Sequence, residues 1–305
     1  MKRGGRTRML KLSASATILI VALTMLCAAW GVAASGRGPA ADAMRSQTAM
    51  VFGAAVLVSL LALYVLGGVL WRLGRGRASL ADTSDSGTAA VEFALLFPVA
   101  LMIVLIMVQS AMVLSANLVV HHAGYTAARA AITWVPEKLS YDEPRNVVAA
   151  PGQSEKLHRI RAAAVYKVLA ISGSRRGSAG GGDSALIQDG LTRFYTLYGE
   201  EVPGWIRNML PAKYEYAWEH TEVRLHPPAN GQIYGDNEEL RVWLRHTVYL
   251  SVPYASRVFA LLGAGGELPE GGFGTDVEVT YTLTNQGVED EIDVEQFPRY
   301  VGRGG

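Results

Sequence analysis

Hydrophobic residues are concentrated in three uninterrupted runs near the start of the chain. The runs are Leu12–Ala34, Ala49–Trp71 and Phe93–Ala116, of 23, 23 and 24 residues without a charged side chain. At about 1.5 Å per residue, each run is long enough to cross the hydrocarbon core of a bilayer, which is roughly 30 Å thick. The pattern therefore predicts three membrane-spanning helices followed by a globular region.

Helical periodicity dominates the first half of the globular region. We expect the third span to continue as a helix through His121–Trp134, and prolines then to mark an irregular connection. Ser154 precedes apolar residues spaced by three and four, which predicts a capped amphipathic helix. After a glycine-rich loop, a second such helix presents Ile187, Leu191, Phe194 and Tyr198 and ends at Gly199. The aromatic segment 203–218, interrupted by Pro211, predicts two short helical turns.

The period then changes from 3.6 to 2, which predicts strands. Apolar and polar residues alternate from Leu240 to Val252 and from Val277 to Leu283, and a shorter strand is indicated by Val223 and Leu225. Such alternation is typical of a sheet with one buried face, most easily an antiparallel one. Between the long strands, Ser256–Leu262 predicts a short helix. With helices covering the apolar face, the fold class is α+β. The tail, Gly287–Gly305, is expected to be poorly ordered.

The distribution of basic residues predicts the orientation in the membrane. Arginines and lysines precede the first span and follow the second, at Lys2, Arg3, Arg6, Arg8, Lys11, Arg72, Arg75 and Arg77. By the positive-inside rule these two regions are cytoplasmic, so the third span delivers residues 121–305 to the far side of the membrane. A competing interpretation treats Met1–Ala34 as a secretory signal, which would still leave two spans.

Composition narrows the function classes. The net charge is +1 and half of the 305 residues are apolar, so charge does not suggest a nucleic-acid partner. The single cysteine, Cys27, lies in the first span, which leaves no disulfide for the exported region. The glycine-rich loop lacks the Gly-Lys-Ser/Thr ending of a phosphate-binding loop, and the sequence has no Gly-x-Ser-x-Gly nucleophile elbow. The histidines lack the spacing of zinc ligands. The sequence indicates no enzyme, cofactor or metal site.

A carboxylate stands at the start of the third span. The segment reads Ser86-Gly87-Thr88-Ala89-Ala90-Val91-Glu92-Phe93, with a glycine and small residues before the acid. A charge within such a helix costs on the order of 2.5–3.5 kcal/mol at mid-bilayer and less near the interface. One explanation is a helix-terminal carboxylate favoured by the macrodipole. The other is a partner for a positive amine that cutting the chain after Gly87 would create.

The second explanation follows from a resemblance. Gly87-Thr88 with Glu92 and Phe93 resembles the cleavage motif of type IV prepilins and pseudopilins. More narrowly, the continuation to Pro98, then Asn117 and the later run Ala127-Ala128-Arg129-Ala130-Ala131 resemble the TadE-like minor pseudopilins of tight-adherence (Tad) pili. The resemblance implies a processing site at Gly87 and Thr88, and an assembly role for Glu92 and Phe93. It implies as partners a prepilin peptidase, other Tad pseudopilins, the inner-membrane assembly platform and the lipid bilayer.

Three regions follow from this interpretation. Residues 1–87 would be a leader-like region with two membrane helices, 88–120 the pilin-like assembly helix, and 121–305 the exported α+β domain. A leader of 87 residues departs from the short basic leaders of pseudopilins. The first hypothesis is therefore a processed minor pseudopilin that serves pilus assembly and adhesion. The second is an uncleaved three-span protein with an exported binding or sensory domain, and a third, an anchored enzyme, has no catalytic constellation to support it.

Overall fold

The structure is a computed structural model that describes residues 27–28, 30–77, 86–174, 184–229, 231, 233–235 and 237–286. Most of the first predicted span, the greater part of the glycine-rich loop and the predicted tail lie outside the described residues.

In the N-terminal part, the described residues include three helices with defined bounds. They are α1 at Pro39–Arg45, α2 at Gln47–Arg77 and α3 at Ser86–Trp134. Gly38 has a φ of +108°, which a glycine adopts without a side-chain clash, and the proline after it starts α1. Gln47–Val69 within α2 and Phe93–Trp134 within α3 are long and apolar enough to cross a membrane. The second predicted span and the continuation of the third helix to Trp134 are therefore confirmed as helices.

Among the described residues, three helices lie between α3 and the sheet. They are α4 at Glu155–Val168, α5 at Ser184–Leu197 and α6 at Gly204–Glu219. The predicted cap is confirmed, because Ser154 Oγ accepts a hydrogen bond from the Leu157 backbone N–H at 2.9 Å. Gly199 has a φ of +70° just after α5, as expected for a helix stop. The prediction of two turns over 203–218 is wrong, since α6 continues through Pro211 as one helix.

The sheet has four strands in the order β1-β2-β4-β3. They are β1 at Thr221–Leu225, β2 at Glu239–Tyr249, β3 at Gly266–Glu267 and β4 at Phe273–Thr284, and helix α7 at Ala255–Leu261 precedes β3. Strands β3 and β4 are antiparallel, with Gly266 opposite Gly274 and Glu267 opposite Phe273. The predicted register of the long strands is confirmed, because the buried side chains are Leu240, Val242, Leu244, His246, Val248, Val277 and Val279. The fold is α+β, as predicted.

The chain forms two compact units. One contains residues 1–123, 165–222 and 245–279, and the other contains 124–164, 223–244 and 280–305. In the first unit, an apolar cluster joins Phe52 of α2, Val113 of α3, Leu250 and Phe259 of α7. The segment before α3 and the segment after residue 244 thus share one core. Sequence periodicity gave no indication of this sharing, because it reports which face is buried and not what covers that face.

Candidate assembly helix and its attachment

Helix α3 changes character near residue 108. Between residues 93 and 108 no side chain is buried. The exposed large apolar side chains in this part are Phe93, Leu95, Phe97, Val99, Leu101, Val104 and Val108. Every residue from Phe93 to Val108 is apolar, so this part of the helix has no polar face. Such a helix requires an apolar environment on all sides, such as lipid or neighbouring helices.

The part of α3 that precedes Gln109 is long enough to cross a bilayer. From Ser86 to Val108 it contains 23 residues, which at 1.5 Å each extend about 34 Å. From Gln109 onward a stripe of side chains is buried at helical spacing, including Val113, Ala116 and Val120. These residues are mostly small, which permits close packing. The helix therefore combines a membrane-length apolar segment with a segment that belongs to the folded core.

The residues of the predicted processing and assembly site all lie on α3. Gly87 and Thr88 occupy its first turn, and Glu92 follows one turn after Thr88. Phe93 is 64% exposed, and its ring lies 5.6 Å from that of Phe97. The side chains of residues 86–92 are outside the described part, so the structure locates these residues on the helix without testing their roles. A peptide bond in a first helical turn becomes extended by local fraying, without unfolding the rest of the helix.

Gln109 marks the start of the buried half of α3. Its side chain is fully buried, and its Oε1 accepts a hydrogen bond from the Val252 backbone N–H at 2.8 Å. This bond connects the helix directly to the chain just beyond β2. Sequence reasoning missed Gln109, although an amide within an otherwise apolar span is a recognisable signal of a specific partner.

Asn117, two turns further along α3, makes a second such attachment, whose partners the sequence did not predict. It is 1% exposed. Its Nδ2 donates to the Ala43 carbonyl at 2.6 Å, and its Oδ1 accepts from Ser46 Oγ at 3.1 Å. Ser46 Oγ in turn accepts the Ala49 backbone N–H at 3.2 Å, which caps the start of α2. Asn117 therefore attaches α3 to the junction between α1 and α2.

In the second compact unit, a buried lysine holds the chain after the end of α3. Lys156 has no exposed surface, and its Nζ donates to the carbonyls of Val135, Pro144 and Val147 at 2.8, 2.7 and 2.9 Å. Burial lowers the pKa of this ammonium from 10.5 to about 8, although the nearby Glu143 carboxylate acts to raise it. These three bonds fix the irregular connection that the prolines predicted.

Glu143 completes the same arrangement. Its carboxylate accepts hydrogen bonds from the Ser154 hydroxyl and from the backbone N–H groups of Ala149 and Lys156, the latter two both at 3.1 Å. Burial raises the pKa of Glu143, but these hydrogen bonds together hold it below 4.5. The carboxylate lies at the first turn of α4, where the helix dipole also favours negative charge.

In the first unit, His246 is buried on the apolar face of β2. Its Nδ1 lies 2.9 Å from Thr221 Oγ1, and its ring meets Tyr216 edge to face at 6.4 Å. Burial, with a smaller contribution from His220, lowers the pKa of the imidazole from 6.5 to about 3. His220 itself pairs with Glu270 at 2.9 Å. Both histidines thus have partners within the fold, Thr221 for His246 and Glu270 for His220.

His246 predicts acid sensitivity of the fold. Below pH 6.5 the unfolded chain binds a proton at this residue, whereas the folded chain stays neutral until about pH 3. Stability therefore falls as the pH drops below 6.5, by about 1.4 kcal/mol per pH unit from this group. Urea unfolding of the detergent-solubilised chain, followed by tryptophan fluorescence at pH 7.5 and 4.5, should show a loss of about 2–3 kcal/mol.

A matched variant separates this group from the carboxylates. Glu143, whose pKa is lowered, weakens the fold in acid in the same direction. His246→Gln should retain that part of the pH dependence and lose the part from the imidazole. An identical pH slope in His246→Gln and the unaltered protein would contradict the assignment.

The fold and the divided helix define a membrane-associated α+β protein whose folded region is attached to a long apolar helix. The TadE-like protein family matches residues 87–129, from the glycine before the predicted cut to the arginine within the alanine run. The predicted resemblance is thereby confirmed over this segment, which supports a protein associated with Tad pili. No curated protein and no solved structure matches the chain.

Proposed function

We propose that this chain is a TadE-like minor pseudopilin: a membrane-anchored structural subunit for Tad pilus assembly and adhesion, rather than an enzyme. The observation that carries the proposal is the division of α3. Its membrane-length apolar part coincides with the start of the TadE-like match, and its buried part holds the folded region. An apolar helix of this kind suits first the lipid bilayer and then a bundle of neighbouring subunit helices, because both surroundings resemble hydrocarbon.

The packing of α2 against α3 supports the proposed orientation. Ser46 contacts Asn117, and Phe52 further along α2 shares a cluster with Val113, which is earlier on α3. The two helices are therefore antiparallel. Phe52 lies 20 residues before Arg72, and Val113 lies 20 residues after Phe93. The two helices therefore have the same number of residues between this contact and their expected cytoplasmic ends. This agrees with the expected location of Arg72 and the start of α3 at the cytoplasmic face of the inner membrane, and of the folded region outside.

In this proposal a prepilin peptidase cuts between Gly87 and Thr88. The new amine of Thr88 then lies one helical turn from Glu92 and pairs with its carboxylate. Phe93 and the apolar side chains after it pack against other Tad pseudopilins, and the inner-membrane assembly platform extracts the subunit. The uncleaved three-span alternative is favoured by one observation, since residues before the cut share a core with residues after it.

Gly87→Val tests the processing step. A membrane peptidase must bind a side-chain-poor segment, and a β-branched side chain next to the cut bond obstructs that approach. We expect the unaltered chain to yield a product that begins at Thr88, and Gly87→Val to yield only full-length chain. N-terminal sequencing of protein recovered from membranes measures both.

Ala90→Val is the matched control, because it adds the same side-chain branching three residues beyond the predicted cut. It should be processed normally. An intact N-terminus in the unaltered chain, in cells that cut another prepilin, would overturn the processing step and favour the uncleaved alternative.

A further inference from the structure

The folded region has a buried surface that packs against α1 and α2. We call it the docking patch: Val113, Asn117, Leu250 and Phe259. Each of these side chains is at most 2% exposed. Part of their cover comes from residues after Gly87, such as Ile106 and Phe273, and part comes from the segment 39–57. We call this segment, which comprises α1 and the first part of α2, the leader clamp. The leader clamp lies before Gly87, and the docking patch lies after it.

Apolar contacts form the centre of this interface. The rings of Phe52 and Phe259 lie 4.8 Å apart with a tilt of 36°, and Phe52 is only 1% exposed. Val113 and Leu250 complete the cluster, with Ala55 and Leu114 packed against it. Val58, nearly two turns beyond Phe52, is 66% exposed, although Ser59 beside it is buried. Among the described side chains of α2, the buried apolar ones are Ala49 and Phe52, and both lie in the leader clamp.

Polar contacts orient the interface. The Asn117 amide bonds both the last part of α1, at the Ala43 carbonyl, and the cap of α2, at Ser46. Arg45 connects the leader clamp to the chain just before it. Its Nε donates to the Ala34 carbonyl at 2.6 Å, and its Nη2 donates to the Gly36 carbonyl at 3.1 Å. A buried amide with two partners defines one register for the segment, because any other register leaves its polar atoms unsatisfied.

None of these contacts depends on the peptide bond after Gly87. We propose that the leader clamp stays bound to the docking patch after that bond is cut, so that residues 1–87 become a non-covalently held partner of residues 88–305. The ligand of the docking patch is this chain's own leader. While the subunit waits in the membrane, the leader clamp keeps the cluster around Phe259 away from water and satisfies the buried Asn117 amide. This inference rests on the proposed function because the cut after Gly87 is part of that proposal. The contacts between the leader clamp and the docking patch do not depend on it.

Retention of the fragment is the first test. The chain carries different tags at its two ends, and the cut protein is purified in mild detergent through the C-terminal tag. We expect the fragment 1–87 to co-purify in equal amount. Phe52→Ala removes the central ring and should reduce the recovered fragment about tenfold or more. Val58→Ala, on the exposed side of the same helix, should leave its recovery unchanged.

Cross-linking is the second test and is independent of cutting. In a Cys27→Ser background, Ser46→Cys and Asn117→Cys place two thiols where the hydroxyl and amide now meet at 3.1 Å. A short bifunctional thiol reagent applied to intact membranes should join them. Val58→Cys with Asn117→Cys is the control pair and should not react together.

The outcomes separate the two proposals. An intact N-terminus together with the cross-link overturns the processing step and leaves the docking supported. A cut chain that loses fragment 1–87 and gives no cross-link overturns the docking and leaves the pseudopilin function supported. Equal loss of the fragment in Phe52→Ala and Val58→Ala would contradict the assignment of Phe52 as the central contact.

Discussion

Leu250→Asp is expected to unfold the region attached to α3. Leu250 is 2% exposed, and it lies in the cluster with Phe52, Val113 and Phe259. Its backbone N–H also donates to the Phe273 carbonyl at 2.8 Å, so the side chain cannot turn outward without breaking the link to β4. An unpaired carboxylate there costs several kcal/mol, against a total stability of about 5–15 kcal/mol. Limited proteolysis of the detergent-solubilised chain should show loss of the resistant core.

The neighbouring residue supplies the control. Ser251 is exposed, and because side chains alternate along an extended segment, Ser251→Asp places the same carboxylate on the opposite face. It should retain the resistance of the unaltered protein. Resistance in Leu250→Asp with loss in Ser251→Asp would mean that the register is shifted by one residue.

The strands could be predicted from the sequence because each has one buried and one exposed face. In β2 the buried residues from Leu240 to Val248 follow a period of two without interruption, and no helical pattern fits them. Helix α4 was equally predictable from its apolar stripe and its Ser154 cap. These features depend on residues within one element, so local pattern is sufficient to find them.

What could not be predicted depends on contacts between distant segments. The apolar residues of α2 suit lipid and protein equally, so hydropathy alone could not separate the buried Phe52 from the exposed Val58. Gln109 and Asn117 carried a signal, as isolated amides in an apolar helix, but their partners Val252 and Ala43 are far away in sequence. Pro211 was overestimated as a break, because buried neighbours in α6 maintain the helix around it.

The sequence motif predicted the residues of the proposed site, and the structure places these residues on helix α3. Thr88 and Glu92 are separated by four residues on α3, which puts them on the same face. Two unit charges about 4 Å apart attract each other by roughly 4 kcal/mol at an effective dielectric constant near 20. In the proposed filament, that attraction is large enough to offset the burial of the Glu92 carboxylate.

Glu92→Leu is therefore expected to block assembly while leaving processing intact. The variant keeps Gly87 and lengthens the apolar run, so insertion and cutting should continue. In a filament the Thr88 amine would then be buried without a partner, at a cost of several kcal/mol per subunit. Mature Glu92→Leu protein should accumulate in the inner membrane and be nearly absent from complexes purified through another pseudopilin. Val91→Leu introduces the same side chain one position earlier and should assemble normally.

Two further variants distinguish charge pairing from an ordinary helix-end carboxylate. Glu92→Gln keeps the shape and a hydrogen-bond acceptor, so its recovery in complexes should fall between those of Glu92→Leu and the unaltered protein. A double variant with Gly87→Val never acquires the Thr88 amine, so its recovery in complexes should be as low as that of Gly87→Val alone. The losses caused by Gly87→Val and Glu92→Leu should thus not add, as expected for residues that act as a pair. Undiminished recovery of Glu92→Leu in complexes would show that the carboxylate serves only the helix dipole.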